Sequence, residues 1–318
     1  MAVYTQVTDE DLAALTAHYG FRAIDKALPI AEGVENSNYL IHVTGTDGQR
    51  FKAILTLFEA RVNAYDIPFY MRLKQHLSKR GIPCPKPFEA DGNLSVRIAG
   101  KHAVIVSFVE GASILQPKKE QIAEAGMMLA KMHIAAQDFP MTRPNAMSFT
   151  GWHELRARIA VRSNNDAQQE MLHIIDTELR YLAQHWNDRL PSGIIHADLF
   201  PNNVFFDAQG HLSAIIDFYF ACHDVLAYDL AIVANAWCIN SNGSLHVPHY
   251  DTLIAAYHDV RPLEAEERDA MPILLRAAAL RFLLTRQHDI LYPNKDALLI
   301  PHDPQEYLAI LHYHQRNG

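Results

Sequence analysis

The hydrophobic pattern changes character at Gly111, and this break restricts the possible architectures more than any other feature of the chain. Upstream, apolar residues alternate in short runs, the period of half-buried strands. Residues 39–43 and 51–57 flank a polar stretch whose Asp47-Gly48 pair is a strong hairpin signal. Residues 94–98 and 102–108 make a second such pair, turning at Gly100. Two helices accompany these strands. Thr8 opens one, with Asp11 three residues on, and Gly20 closes it. Pro68 opens another, which Gly81 stops. The alternating prolines of residues 82–87 then force extended backbone. Downstream the period becomes helical. Ile122, Leu129, Met132 and His133 share a face behind Pro117. Further helical stretches cover residues 168–186, 226–237, 249–260, 264–288 and 304–314. Only three short strand-like pieces interrupt them, at 193–196, 204–207 and 212–217. The pattern predicts an α+β chain of two lobes. A small antiparallel, β-rich N-lobe covers residues 1–108, a hinge 109–113, and a mainly helical C-lobe 114–318.

Composition removes several function classes. The chain has 28 Lys+Arg against 36 Asp+Glu, a formal charge of −8, whereas nucleic-acid binders carry a basic excess. No apolar run approaches the length of a membrane span, and no secretory leader pattern opens the chain. Cys84, Cys222 and Cys238 are too few and too far apart for a disulfide framework or a Cys-x-x-Cys zinc site, which fits a reducing cytoplasm. No His-Glu-x-x-His occurs, which disfavours a zinc hydrolase.

The chemistry concentrates between residues 194 and 218. An apolar strand delivers His196-Ala-Asp198-Leu-Phe-Pro-Asn-Asn203, and a second apolar strand ends in Ile216-Asp217-Phe218. Phosphoryl transfer from ATP needs a carboxylate to accept the proton of the attacking hydroxyl. It also needs hard oxygen donors to hold Mg²⁺ on the phosphates. Asp198, Asn203 and Asp217 supply these in the right order, each on a turn after a strand. A cradle for the phosphates is expected between the first N-lobe strands, where Gly33, Asn36, Ser37 and Asn38 can offer backbone N–H groups. Walker A and Gly-x-Gly-x-x-Gly loops are both absent.

With these residues the chain resembles the aminoglycoside-phosphotransferase-like kinases, which share the protein-kinase-like fold. The resemblance makes Asp198 the catalytic base, Asn203 and Asp217 the Mg²⁺ ligands, and ATP the phosphoryl donor. Within that group it is most similar to the bacterial homoserine kinases, through Glu35-Asn-Ser-Asn38, Leu55-Thr-Leu-Phe-Glu59, Asp217-Phe-Tyr219, Tyr228-Asp-Leu-Ala231 and Arg281-Phe-Leu-Leu-Thr-Arg286. The acceptor it implies is L-homoserine. Other acceptors of the group stay open, among them choline or ethanolamine, aminoglycosides, methylthioribose and amino sugars, as does a nucleotide-binding pseudokinase.

One departure keeps the pseudokinase open. Many relatives carry a Lys or Arg on the third strand to pair the α- and β-phosphates, and here that position aligns with Thr56. Lys52 shares its strand face and is either a phosphate ligand or a solvated lysine. Homoserine is a zwitterion, so its pocket needs an acid and a base. Asp229 is the acidic candidate, or else a helix cap. Arg281 and Arg286 are the basic candidates, or else ordinary ion-pair partners.

Overall fold

A computed structural model describes residues 3–30, 36–59, 62–293 and 301–318. The chain clusters into two compact units. The first comprises the described residues up to Gly111 together with Ser213–Tyr219; the second takes the rest, from Ala112 to Leu212 and from Phe220 on. The units are therefore not contiguous in sequence. Asp217, drawn with the C-lobe from sequence, clusters with the N-terminal residues.

In the first unit, helix α1 (Asp9–Tyr19) begins at the expected Thr8–Asp11 capping box and ends at Gly20 in the left-handed region. Five antiparallel strands follow. They are β1 (Ala23–Pro29), β2 (Asn36–Thr44), β3 (Arg50–Phe58), β4 (Val96–Ile98) and β5 (Lys101–Ser107), ordered β1-β2-β3-β5-β4. Strand β1 is absent from the sequence reading. It carries Asp25 and Lys26, shifts register between Ile24 and Lys26, and is an edge strand without clean alternation. On one sheet face Tyr39, Ile41, Val43, Ala53, Leu55 and Leu57 bury Leu15 of α1. The period of two puts Asn38 and Thr56, which are cross-strand partners, on the other face. Helix α2 (Ile67–Lys79) follows with a proline in its first turn.

In the second unit, helix α3 (Lys119–Ala135) packs closely against a later helix, α7 (Val247–His258). A Cβ on Gly126 would lie 2.7 Å from the Leu253 carbonyl oxygen, so the approach requires glycine. Helices α4 (Phe149–Arg162) and α5 (Asp166–His185) lead to strand β6 (Ser192–Ile195). Strands β7 (Val204–Phe206) and β9 (Cys222–Val225) follow, and β9 pairs antiparallel with β6; β8 (Leu212–Ile215), which lies between them in sequence, belongs from Ser213 on to the first unit. Helices α6 (Leu226–Trp237), α8 (Ala265–Leu291) and α9 (Pro304–Asn317) complete the chain. Helix α6 is buried nearly all round. Among the described residues no helix is long and apolar enough to cross a membrane.

Candidate active site

Strand β6 ends in a loop whose backbone is held from several sides. The Asp229 carboxylate on α6 accepts the N–H of His196 at 2.7 Å on Oδ2 and that of Ala197 at 2.8 Å on Oδ1. From α8, the Arg281 guanidinium donates to the Ala197 carbonyl, and the Trp237 indole N–H donates to the Leu199 carbonyl at 2.8 Å. Ala197 needs this restraint, since its φ of 64° is unfavourable for a residue with a Cβ. The loop presents Asp198. Asn203 donates its amide N–H₂ to the Asp198 carbonyl at 2.8 Å and to its carboxylate Oδ2 at 3.2 Å. That use of the nitrogen leaves Asn203 Oδ1, the atom a hard cation would take.

Asp229 is wholly buried with a second set of partners behind it. His133 Nε2 lies 3.1 Å from its Oδ2, and His133 Nδ1 lies 2.8 Å from the Tyr257 hydroxyl. Arg261 donates to that hydroxyl at 3.2 Å and pairs with Glu267 at 2.9 Å. Burial works against the Asp229 charge, but the His133 bond, the nearby imidazoles and the loop amides hold its carboxyl below the ordinary range. This corrects two sequence expectations. Asp229 is 0% exposed and committed to the loop, so it does not receive an acceptor ammonium, and it lies inside α6 rather than at its cap. Arg281 is likewise 1% exposed, committed to Ala197 and stacked on Phe220 and Phe282, which removes it from the acceptor carboxylate.

Arg286 is placed differently. It pairs with Glu306, whose side chain is 65% exposed, at 2.6 Å, and lies 4.6 Å above the Tyr307 ring. Tyr307 is buried, its hydroxyl has no hydrogen-bond partner among the described residues, and its phenol feels the charges of Arg286, Asp198 and Arg281. Burial, first, raises its pKa. Tyr307 thus lies under Arg286 and within the field of Asp198 and Arg281, and sequence reasoning missed it. It shares a helical stripe with Ile310, Leu311 and His314, and nothing in that pattern sets it apart from core. A separate cavity of about 370 Å³ in this unit is lined by aromatic Phe149, Trp152, Trp186 and Tyr228 beside Asn145 and Asp224.

In the first unit, Asp217 also has a left-handed backbone, with φ at 61°. Its charge acts on Lys74 of α2, which is only 3% exposed. Burial pulls the Lys74 pKa down to about 8, while the Asp217 carboxylate opposes that fall. The Lys74 ammonium lies 4.7 Å over the Tyr219 ring, with its Nζ 3.5 Å from the Tyr219 hydroxyl. The sequence reading passed over Lys74, although a lysine in the buried stripe Ile67, Tyr70, Met71, Lys74, Leu77 is itself a signal.

The expected phosphate cradle is only partly described. Gly33 lies outside the described residues. The Ser37 side chain is 0% exposed, its hydroxyl accepts the N–H groups of Tyr4 and Thr5 and donates to Glu59, and it faces away from Asn38, so the hydroxyl is committed elsewhere. Glu59, the last residue of the Leu-Thr-Leu-Phe-Glu run, pairs with Lys101 at 2.9 Å and accepts from Thr5, so that motif clamps the N-terminal segment. Asn36 Oδ1 accepts the Glu59 N–H at 3.3 Å, and Asn38 Oδ1 accepts the Thr56 hydroxyl at 2.8 Å. Lys52 is exposed at the far end of β3, 5.1 Å from the Phe108 ring centre, and four residues, about 13 Å, from Thr56. It keeps the solvated alternative rather than the phosphate one.

Comparison with known proteins matches residues 26–269 to the phosphotransferase enzyme family. A homoserine kinase of Sinorhizobium fredii is 46% identical over 316 residues, covering 99% of this chain and 95% of that protein. One from Parvibaculum lavamentivorans is 45% identical over 317 residues, covering 99% and 96%. Among solved structures, the amicoumacin kinase hAmiN superposes with a TM-score of 0.68 at 16% identity, covering 97% of this chain and 93% of that one. The choline kinase LicA of Streptococcus pneumoniae gives 0.65 at 15% identity, covering 96% and 97%. At such identities these structures speak for the fold.

Proposed function

The chain belongs to the phosphotransferase enzyme family, alongside its homoserine kinases, and from that premise we propose that it transfers the γ-phosphoryl group of ATP to the side-chain hydroxyl of L-homoserine, giving O-phospho-L-homoserine for threonine biosynthesis. The observation that carries this reading is likeness to homoserine kinases along nearly the whole chain. The three free cysteines, all buried, suit a cytoplasmic enzyme.

In this reading Asp198 accepts the proton of the homoserine hydroxyl as its oxygen attacks. The loop held by Asp229, Arg281 and Trp237 supports that role, because a base works only from a fixed position. The bond between Asn203 and the Asp198 carboxylate turns the carboxylate and limits its rotation. Oxygen donors at Asn203 and Asp217 fit Mg²⁺, which when bound would neutralise phosphate charge. Gly33, Asn36 and Asn38 and the backbone of Ser37 remain the proposed contacts to the phosphates.

Arg286 is the guanidinium we assign to the homoserine carboxylate. Arg286 is 13% exposed and also donates to the Asp303 carbonyl at 3.0 Å, but its ionic partner Glu306 is largely exposed, so a substrate carboxylate would compete with Glu306 for the guanidinium.

The test is ADP release with L-homoserine, choline or an aminoglycoside as acceptor. A site that pairs a carboxylate rejects acceptors lacking one, and the expected preference for homoserine in kcat/KM is at least about 10²-fold. Arg286→Ala should raise KM for homoserine more than tenfold and leave KM for ATP alone. Preference for choline or an aminoglycoside would end the homoserine reading and spare the kinase one.

A further inference from the structure

Strand β3 carries no cation where many relatives have one, and a buried ammonium lies on helix α2 of the same unit. Thr56 occupies that position, 4% exposed. Its hydroxyl donates to Asn38 Oδ1 at 2.8 Å, and it is also bonded to the Tyr219 hydroxyl. On its other side the Tyr219 hydroxyl oxygen faces Lys74 Nζ, 3.5 Å away, and can accept from it. A polar chain therefore runs from Lys74 through Tyr219 and Thr56 to Asn38. Every member belongs to the first unit, as does Asp217, the opposite charge acting on Lys74.

Stability alone gives no reason for a lysine here. Its surroundings are aromatic: Tyr219 lies under the ammonium, and the Phe58 and Tyr70 rings meet Tyr219 edge-on at 5.2 Å and 5.6 Å. Neighbours of Lys74 on the helix stripe are apolar, and a methionine would fill its space without desolvating a charge. Retaining the ammonium costs stability, and a cost of this kind is characteristic of functional sites.

We propose that Lys74 does from helix α2 what the strand lysine does in relatives: its ammonium pairs the α- and β-phosphates of the bound nucleotide beside Asp217. The lysine has moved from strand to helix while the ammonium serves the same space, and the Asp217-Phe-Tyr219 run supplies the ring and hydroxyl that aim it. This makes Lys74 a nucleotide-binding residue and removes the missing strand lysine as an argument for a pseudokinase. It rests on the kinase reading above, and the experiment separates the two.

The experiment compares wild type, Lys74→Met and Thr56→Lys/Lys74→Met for ATP kinetics, thermal melting, and affinity for Mg²⁺·ADP against adenosine. Lys74→Met should cut kcat/KM for ATP by about 10²-fold and leave KM for homoserine within about twofold. Its affinity for ADP should fall about tenfold or more while that for adenosine, which has no phosphate, holds. Its melting midpoint should stay level or rise. Returning a lysine to the strand in the double variant should recover at least about tenfold of the lost kcat/KM. Equal loss of adenosine and ADP binding, a lowered midpoint, or a folded Lys74→Met with unchanged ATP kinetics would each overturn the proposal. If wild type phosphorylates none of the acceptors, the kinase reading fails, and the ADP and adenosine affinities still decide the role of Lys74.

Discussion

Asp229 holds the loop that presents Asp198, and the different roles proposed for the two carboxylates are separated by paired substitutions. Asp198→Asn removes the proposed proton acceptor and leaves the loop anchors untouched. Turnover should fall by about 10²–10⁴-fold with the melting midpoint and ATP affinity unchanged. Asp229→Asn leaves one oxygen for two buried N–H groups, those of His196 and Ala197. One donor then goes unpaired, a cost of about 1–3 kcal/mol, with the loss of the His133 contact added. Stability and kcat should fall together while KM for homoserine stays put; a selective rise in that KM would return Asp229 to the acceptor site. The motif around Asp198 was legible because a strand, a loop and their polar residues are consecutive in sequence. The tasks of Asp229 and Arg281 were not, since each reaches the loop from a distant helix. Lys74 shows the same limit, meeting Tyr219 across 145 positions. Sequence reveals that a charge lies in an apolar stripe, and only the fold reveals which group it faces.

At the scale of elements, α9 is docked through a pH-sensitive contact. His314 is 5% exposed, and its Nε2 lies 2.8 Å from Asn235 Oδ1 on α6, an acceptor only, so the neutral ring donates there. Nearby, Arg276 of α8 and Glu178 of α5 form a buried two-point ion pair at 2.7 Å, and Gln315 of α9 donates to Glu178 at 2.8 Å. Burial, with Arg276 adding repulsion, lowers the His314 pKa from 6.5 to about 4. A lowered histidine pKa means that the unfolded chain binds the proton first. The stability held above pH 6.5 therefore drains away as pH falls toward about 4, by at most about 3 kcal/mol. His314→Gln keeps a donor for Asn235 and cannot take up a proton. The gap in melting midpoint between wild type and variant should change over that interval in favour of the variant. A constant gap from pH 7 to pH 4.5 would show that His314 does not drive the loss. Elements with strong local punctuation were readable, such as the Thr8–Asp11 box and the turns at Gly48 and Gly81. Strands β1 and β9 and helix α4 were not. Strand β9 is four residues long and takes its form from pairing with β6, which no local signal announces.

For the whole molecule, the acid excess bears on how a polyphosphate is held. With 36 Asp+Glu against 28 Lys+Arg, the protein repels a nucleotide at long range at neutral pH. Lys74 supplies one charge, while Asp217 nearby adds a further negative one. Binding should therefore depend on the divalent ion itself, over and above the need for it in turnover. Oxygen donors at Asn203 and Asp217 suit Mg²⁺ and offer neither the nitrogen nor the sulfur that zinc favours. Calorimetric melting with ADP tests this, since a ligand that binds only the folded state at about 100 times its Kd adds about 2.7 kcal/mol. With Mg²⁺ present, ADP should raise the midpoint by several degrees. In chelator most of that rise should vanish, Mg²⁺ should restore it, and Zn²⁺ should not. Because the chain has two compact units, transitions are to be compared one by one rather than through a single midpoint. ADP stabilising equally well in chelator would mean that side chains alone neutralise the phosphates, and the assignment of Asn203 and Asp217 to the metal would fall.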